Sequence, residues 1–185
     1  KVDGTYLFDG NSLNGWEISQ FGPQGLVDVT DGKIILNYGD GCTGVTYTGE
    51  FPKINYEVNI EAQKTSGNDF FCGITFPVNT DYCSLIVGGW GGAVVGLSVI
   101  DGIDASENET KILKRFDKEV WYKIKLRVDN EKIVAWIDEE KVVEFAFPEH
   151  QLSIRPEVEL SKPFGICTWM TTGEIRNIWL EELGK

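Results

Sequence analysis

The alternation of apolar and polar residues along several short runs limits this chain to a β-sheet protein. In Asn55-Tyr-Glu-Val-Asn-Ile-Glu-Ala-Gln63, residues Tyr56, Val58, Ile60 and Ala62 alternate with Glu57, Asn59 and Glu61. Successive strand side chains point to opposite faces, so a period of two buries one face and wets the other. Val120-Trp-Tyr-Lys-Ile-Lys-Leu-Arg-Val128 repeats the pattern, with Tyr122, Ile124 and Leu126 opposite Lys123, Lys125 and Arg127. A turn at Asp129-Asn130, a run over 132–137, a turn over 138–140 and a run over 141–147 complete an antiparallel meander. Further strands are expected over 5–8, 26–29, 33–37, 44–48, 70–76, 82–87, 94–99, 164–169 and 174–180, with a hairpin turn at Asp31-Gly32. Only 105–114 and 149–152 suit a helical turn.

Many short strands with frequent glycine turns indicate an all-β sandwich or barrel. At 185 residues the chain is expected to form one domain over 1–185, a two-sheet antiparallel jelly-roll β-sandwich that buries a core without staples.

Twenty-nine acidic residues against seventeen basic ones give a formal net charge of -12. Such a surface repels phosphate backbones and anionic headgroups, which argues against nucleic acid or a membrane surface as partner. A neutral ligand, a cation or a basic protein patch remains. The cysteines Cys42, Cys72, Cys83 and Cys167 form no C-x-x-C pair, and His150 is the only histidine, so a structural zinc site is not expected. Free thiols are expected over disulfides, because Cys72 and Cys167 lie in apolar runs and a domain this large needs no framework. No stretch approaches the roughly 20 apolar residues of a membrane span. The opening Lys1-Val-Asp-Gly shows no signal peptide, as in a mature form or a trimmed piece of a longer protein.

One segment stands apart. In Ser84-Leu-Ile-Val-Gly-Gly-Trp-Gly-Gly-Ala-Val-Val-Gly-Leu-Ser98, four glycines flank Trp90 between two apolar runs. Glycine permits a sharp turn and close approach of a ligand, and an indole among glycines offers a flat face of the kind that stacks on sugar rings. The alternative is a plain glycine-rich turn with a core tryptophan.

Two further phrases complete a pattern. Leu7-Phe-Asp-Gly-Asn-Ser-Leu-Asn-Gly-Trp16 stands near the start and Gly173-Glu-Ile-Arg-Asn-Ile-Trp-Leu180 near the end. With Trp121-Tyr122 and Ala135-Trp-Ile-Asp138 between them, the chain resembles the bacterial domain family labelled 3-keto-disaccharide hydrolase, which looks like the concanavalin-A-like lectin/glucanase sandwich. The resemblance implies an extracytoplasmic protein (periplasmic, secreted or at the cell surface) that hydrolyses or eliminates glycosides oxidised at C3, with a saccharide as ligand. The late-strand histidine of many members has no counterpart here, since the region reads Ile166-Cys-Thr-Trp-Met-Thr-Thr172. A non-catalytic, lectin-like module is therefore the alternative, because fold does not dictate function.

Glycoside cleavage needs carboxyl groups facing each other across a cleft. The acidic loop Asp101-Gly-Ile-Asp-Ala-Ser-Glu-Asn-Glu109 follows the glycine-rich pair, and Arg155-Pro-Glu-Val-Glu159 offers a guanidinium beside carboxylates. Asp101, Asp104 and Glu157 are the expected catalytic residues. Trp90, Asp69, Arg155 and Trp169 are the expected substrate-binding residues. Asp101, Asp104 and Glu107 also offer hard oxygen ligands for calcium or another divalent metal, although their spacing is not that of an EF-hand. Trp121 and Trp136 fall on the polar phase of their strands. They either pack across neighbouring strands, which is the expectation, or form a sugar platform.

Overall fold

The computed structural model describes residues 4–184. Two antiparallel sheets face each other. Across the first, in spatial order, run β13 (Glu140–Ala146), β12 (Lys132–Ile137), β11 (Tyr122–Val128), β6 (Tyr56–Gly67), β15 (Thr171–Glu182), β4 (Lys33–Leu36) and β3 (Val27–Thr30), and β1 (Gly4–Tyr6) also pairs with β15. Across the second run β10 (Ile112–Leu113), β9 (Val94–Ser98), β8 (Asp81–Gly89), β7 (Cys72–Val78), β14 (Gly165–Trp169), β5 (Cys42–Tyr47) and β2 (Trp16–Ile18). This is the all-β sandwich expected from the alternation. The meander appears as β11, β12 and β13. Asp31 and Gly32 both adopt positive φ between β3 and β4, the geometry of a tight hairpin.

The core lies between the sheets. Tyr56, Val58, Ile60 and Ala62 of β6 and Tyr122, Ile124, Leu126 and Val128 of β11 face inward. They meet Cys72, Ile74 and Phe76 of β7 and Cys83, Leu85 and Val87 of β8 from the other sheet. Tyr56 is fully buried, and its hydroxyl donates to the Pro77 carbonyl at 2.6 Å, which ties the two sheets together. Burial pushes its phenol above the ordinary range, so it stays a neutral donor. All four cysteines are free and buried. Desolvation raises the Cys83 thiol to about 12, and a hydrogen bond with Cys42 heads the causes that raise Cys167. Such thiols are inert.

The two outer faces differ. The outer face of the first sheet is mostly polar, as alternation requires, although Ile35, Val134, Trp136 and Trp179 also lie on it. In the second sheet β7 and β9 are buried on both faces, as is β8 from Cys83 onward. A roof explains this. Residues 105–110 pass over β9, where a side chain on Gly96 would meet Thr110 and Ala105. The Phe70 ring lies close enough to β7 that a Cβ on Gly73 would approach it to 2.9 Å. A 3-10 helix, Pro156–Ser161, packs across β5 and β14. That helix differs from the expectation. The segment 149–152 forms only a turn, and 105–114 is a chain of turns ending in β10. The Pro156 start presets φ for a helical turn, while too few residues follow for an α-helix.

Candidate functional site

The roof leaves one gap, and it opens onto the outer face of β8 and β9. Its floor is Ser84, Ile86 and Ser98, with Ser84 and Ser98 paired in register. The Ser84 hydroxyl shares a 2.8 Å hydrogen bond with Thr75. The Ser98 hydroxyl is buried and has no hydrogen-bond partner among the described residues. A buried polar atom in that condition costs free energy unless a ligand or water completes it. The cavity measures about 250 Å³, and its walls include Asp69, Phe70, Trp90, Trp169, Arg155 and Glu157.

One wall is the β8–β9 hairpin. Gly88, Trp90, Gly91 and Gly92 all take positive φ there. Gly88 is the extra residue of a bulge between Val87 and Gly89. The indole of Trp90 is left 40% exposed at the rim. Asp69 braces this hairpin: one carboxylate oxygen accepts the Phe70 N–H at 2.8 Å and the other faces the Gly91 N–H at 3.4 Å. Trp169 is held alongside, its backbone N–H donating to the Phe70 carbonyl at 3.0 Å.

The other wall stands toward the far end of the floor strands. Arg155 donates from Nε and Nη2 to the two oxygens of Glu157, at 3.0 and 3.2 Å, and from Nη1 to Asp104 at 2.9 Å. The hydrogen bond from Arg155 holds the Glu157 carboxyl below its ordinary range. The same bond raises Arg155. A guanidinium has five N–H groups, so two remain for a ligand.

The structure therefore brings Asp69, Trp90, Arg155, Glu157 and Trp169 to one cavity, and Asp104 supports Arg155 from behind. Asp101 is not brought in. It takes φ 50°, its Oδ1 accepts the Gln151 N–H at 2.7 Å, and its Oδ2 lies 2.6 Å from His150 Nδ1. Its carboxyl is held low, first by the Gln151 N–H and then by His150. The three carboxylates expected to share calcium do not converge. Asp101 faces His150, and the two oxygens of Asp104 accept from Ser106 at 2.9 Å and from Arg155. A cation would have to displace that guanidinium. Among the described residues no cluster of histidine, cysteine or acidic side chains could hold a metal ion. The floor serines were not expected, although a serine on the outward phase of an otherwise apolar run was the available signal.

The two phrases that carry the resemblance lie away from the cavity. Asp9 accepts the Asn11 and Ser12 N–H groups, each at 2.7 Å, in a turn that leads to Trp16. The Trp16 indole is buried and donates to the Leu7 carbonyl at 2.8 Å. In the closing phrase Asn177 takes φ 53° in a bulge, and Ile178 is core. These residues build the sandwich.

Acid tests the Arg155–Glu157 pair. Because the folded value of Glu157 is depressed, the pair's contribution to stability is complete above the ordinary glutamate value of 4.5 and is lost as pH falls through the depressed one. The difference in melting temperature between the native chain and Glu157→Gln is expected to be constant above about pH 5 and to shrink below it. Both side chains are more than a third exposed, so the contribution is about 1 kcal/mol or less.

This two-sheet sandwich, with an aromatic-walled pocket floored by Ser84, Ile86 and Ser98, matches a carbohydrate-active domain family. The chain belongs to the 3-keto-alpha-glucoside-1,2-lyase-like domain family, whose model matches residues 3–181. Solved structures share the fold at low identity. A carbohydrate-binding module, CBM66, from Bacillus subtilis is 15% identical with a TM-score of 0.63, covering 91% of this chain and 96% of that one. A putative glycosyl hydrolase from Parabacteroides distasonis is 13% identical with a TM-score of 0.62, covering 98% and 94%. The Crh5 transglycosylase is 11% identical with a TM-score of 0.65, covering 98% and 84%. No curated protein matches the chain. Among the described residues no helix is long and apolar enough to cross a membrane.

Proposed function

We propose that the Trp90 pocket binds one end of a glycoside oxidised at C3 and cleaves it by elimination. The observation that carries this reading is the union, in one cavity of about 250 Å³, of a guanidinium, two carboxylates and two tryptophans. A ketone at C3 acidifies the C2–H bond. Asp69 takes that proton, and the electron pair moves onto the C3 oxygen as an enolate. The two unused N–H groups of Arg155 stabilise this oxygen, with Glu157 and Asp104 fixing the guanidinium. The pair then returns to form the C1–C2 double bond as the C1–O bond breaks, and the departing oxygen recovers the proton from Asp69. No water is consumed. Hydrolysis of an ordinary glycoside would instead need a carboxyl kept protonated, and Arg155 holds Glu157 in the opposite state. An extracytoplasmic location goes with this reading.

A second reading is a lectin-like module that binds without cleaving. The pairing of His150 with Asp101 outside the cavity favours it, as does the engagement of Arg155 by two carboxylates. One experiment separates the two. The protein is incubated with C3-oxidised disaccharides and their ordinary counterparts, and products are read by mass spectrometry. Elimination gives, from the oxidised substrates alone, a 1,2-unsaturated 3-ketone lighter by one water than a hydrolysis product, and Asp69→Asn stops it. A 3-keto monosaccharide as the first product would mean hydrolysis and would overturn the mechanism. Binding without product would establish the lectin-like reading, and neither binding nor product would end both.

A further inference from the structure

The outer face of the first sheet carries a second groove, on the opposite side of the sandwich from the Trp90 pocket. Trp136 of β12, Lys125 of β11, Asn59 of β6 and Trp179 of β15 are register partners in a single row across the strands. Three inter-strand spacings place the two tryptophans about 14 Å apart. The groove between them has a volume of about 480 Å³, and its lining also includes Tyr6, Glu61, Lys123, Glu139 and Asn177.

Three observations set this row apart from an ordinary wet sheet face. First, an outward position on such a face calls for a polar residue, as in the Arg127–Glu57 pair at 2.6 Å and the Lys33–Glu174 pair at 2.5 Å, and Ile35, Val134 and Trp121 are other apolar residues turned outward. Second, both tryptophans sit beside β-bulges. The β12–β13 register shifts between Ala135 and Trp136, and the β15–β6 register shifts between Arg176 and Trp179. Bulges re-aim side chains and gather near functional sites. The second one adds Asn177 to the outer face, where its amide bonds Glu61. Third, the tryptophans do not pack on each other. Lys125 Nζ lies 4.4 Å from the centre of Trp136, and Tyr6 meets Trp179 edge-on at 4.7 Å, with Gly4 against the indole. The expected contact between Trp121 and Trp136 is replaced as well, since Trp121 packs under Arg176 at 3.8 Å.

We propose that this groove is a second saccharide site, taking a neutral oligosaccharide of three or more units laid across the strands. One unit stacks near each tryptophan, and Asn59 and Asn177 bond the hydroxyls between. A disaccharide is too short to reach both indoles. The two lysines and two glutamates of the lining cancel in charge, which favours a neutral, hydroxyl-rich ligand over a polyanion. The polar floor between the aromatics does not suit an apolar protein face. The proposal shares only its ligand class with the reading of the Trp90 pocket.

The test is titration of the whole protein with neutral homo-oligosaccharides of glucose, mannose, galactose and xylose, two to six units long, by calorimetry. At least one hexasaccharide is expected to bind about tenfold more tightly than its disaccharide. Trp136→Ala and Trp179→Ala should each weaken it by about tenfold or more. Trp136→Tyr, which keeps an aromatic face, should retain most of the binding and guards against a folding artefact, as does an unchanged melting temperature. Trp90→Ala should leave this binding intact. The proposal is overturned if none of the oligosaccharides binds, if binding shows no gain with length, or if it survives both alanine variants. Binding lost in Trp90→Ala alone would assign the saccharide to the other pocket and also overturn the second site.

Discussion

Arg155→Ala is expected to lower turnover of C3-oxidised disaccharides by about a hundred- to a thousandfold, the usual cost of removing one preorganised donor from a developing oxyanion. The loss should fall on kcat more than on KM, because the enolate charge exists only after the proton has left. Arg155→Lys should recover little of it. A lysine keeps the charge but cannot hold Glu157 through two parallel bonds and reach Asp104 at once, as the fork does at 3.0, 3.2 and 2.9 Å. Steady-state kinetics of the three proteins decide the matter. A loss confined to KM would show that Arg155 binds the substrate without stabilising the enolate. Unchanged kinetics would remove Arg155 from the mechanism.

Phe71→Ala is expected to be among the most damaging single truncations for stability. Phe71 is fully buried and meets Phe116 edge-on at 5.2 Å and Tyr122 at 6.0 Å. Its ring also fills the space beside Gly88, where a Cβ would lie 3.2 Å away. Removing the ring forfeits its transfer energy and leaves a cavity between the sheets, at a cost of about 3–5 kcal/mol. For a chain of this size that lowers the melting temperature by roughly 6–20 °C. Scanning calorimetry and urea denaturation measure it, and a loss below about 1 kcal/mol would mean that the sheets close over the gap. Saccharide binding should weaken too, because the Phe71 ring packs against Gly88 in the hairpin that carries Trp90.

The sandwich was largely legible in the residues. Tyr56 to Ala62 and Tyr122 to Leu126 announced two strands with one wet face, and Asp31-Gly32 announced a hairpin. Trp90, Asp69, Arg155, Glu157 and Trp169 stand out in the sequence by their aromatic or charged chemistry, and they line one cavity. The same reasoning chose Asp101, which the structure turns toward His150 and Gln151, and it grouped Asp101, Asp104 and Glu107 because they are close in sequence. Nearness along a loop says nothing of where each carboxylate points. Asp104 bonds a partner 51 positions away, a contact no local pattern contains. The floor serines stayed hidden because β8 and β9 read as continuous apolar runs, a pattern that does not say which face is roofed.

What the sequence determined by itself follows from backbone geometry: strands alternate their side chains whatever they pair with, and Asp-Gly pairs turn whatever they join. The tertiary structure alone decided which outer face would be covered, which gap in that cover would become a pocket, and that Trp136 and Trp179 would stand in one row. Those outcomes depend on strand order and register between segments far apart in the chain, and on bulges that shift the register by a residue. Long-range packing energies select them, and a short window of residues carries no trace of those energies.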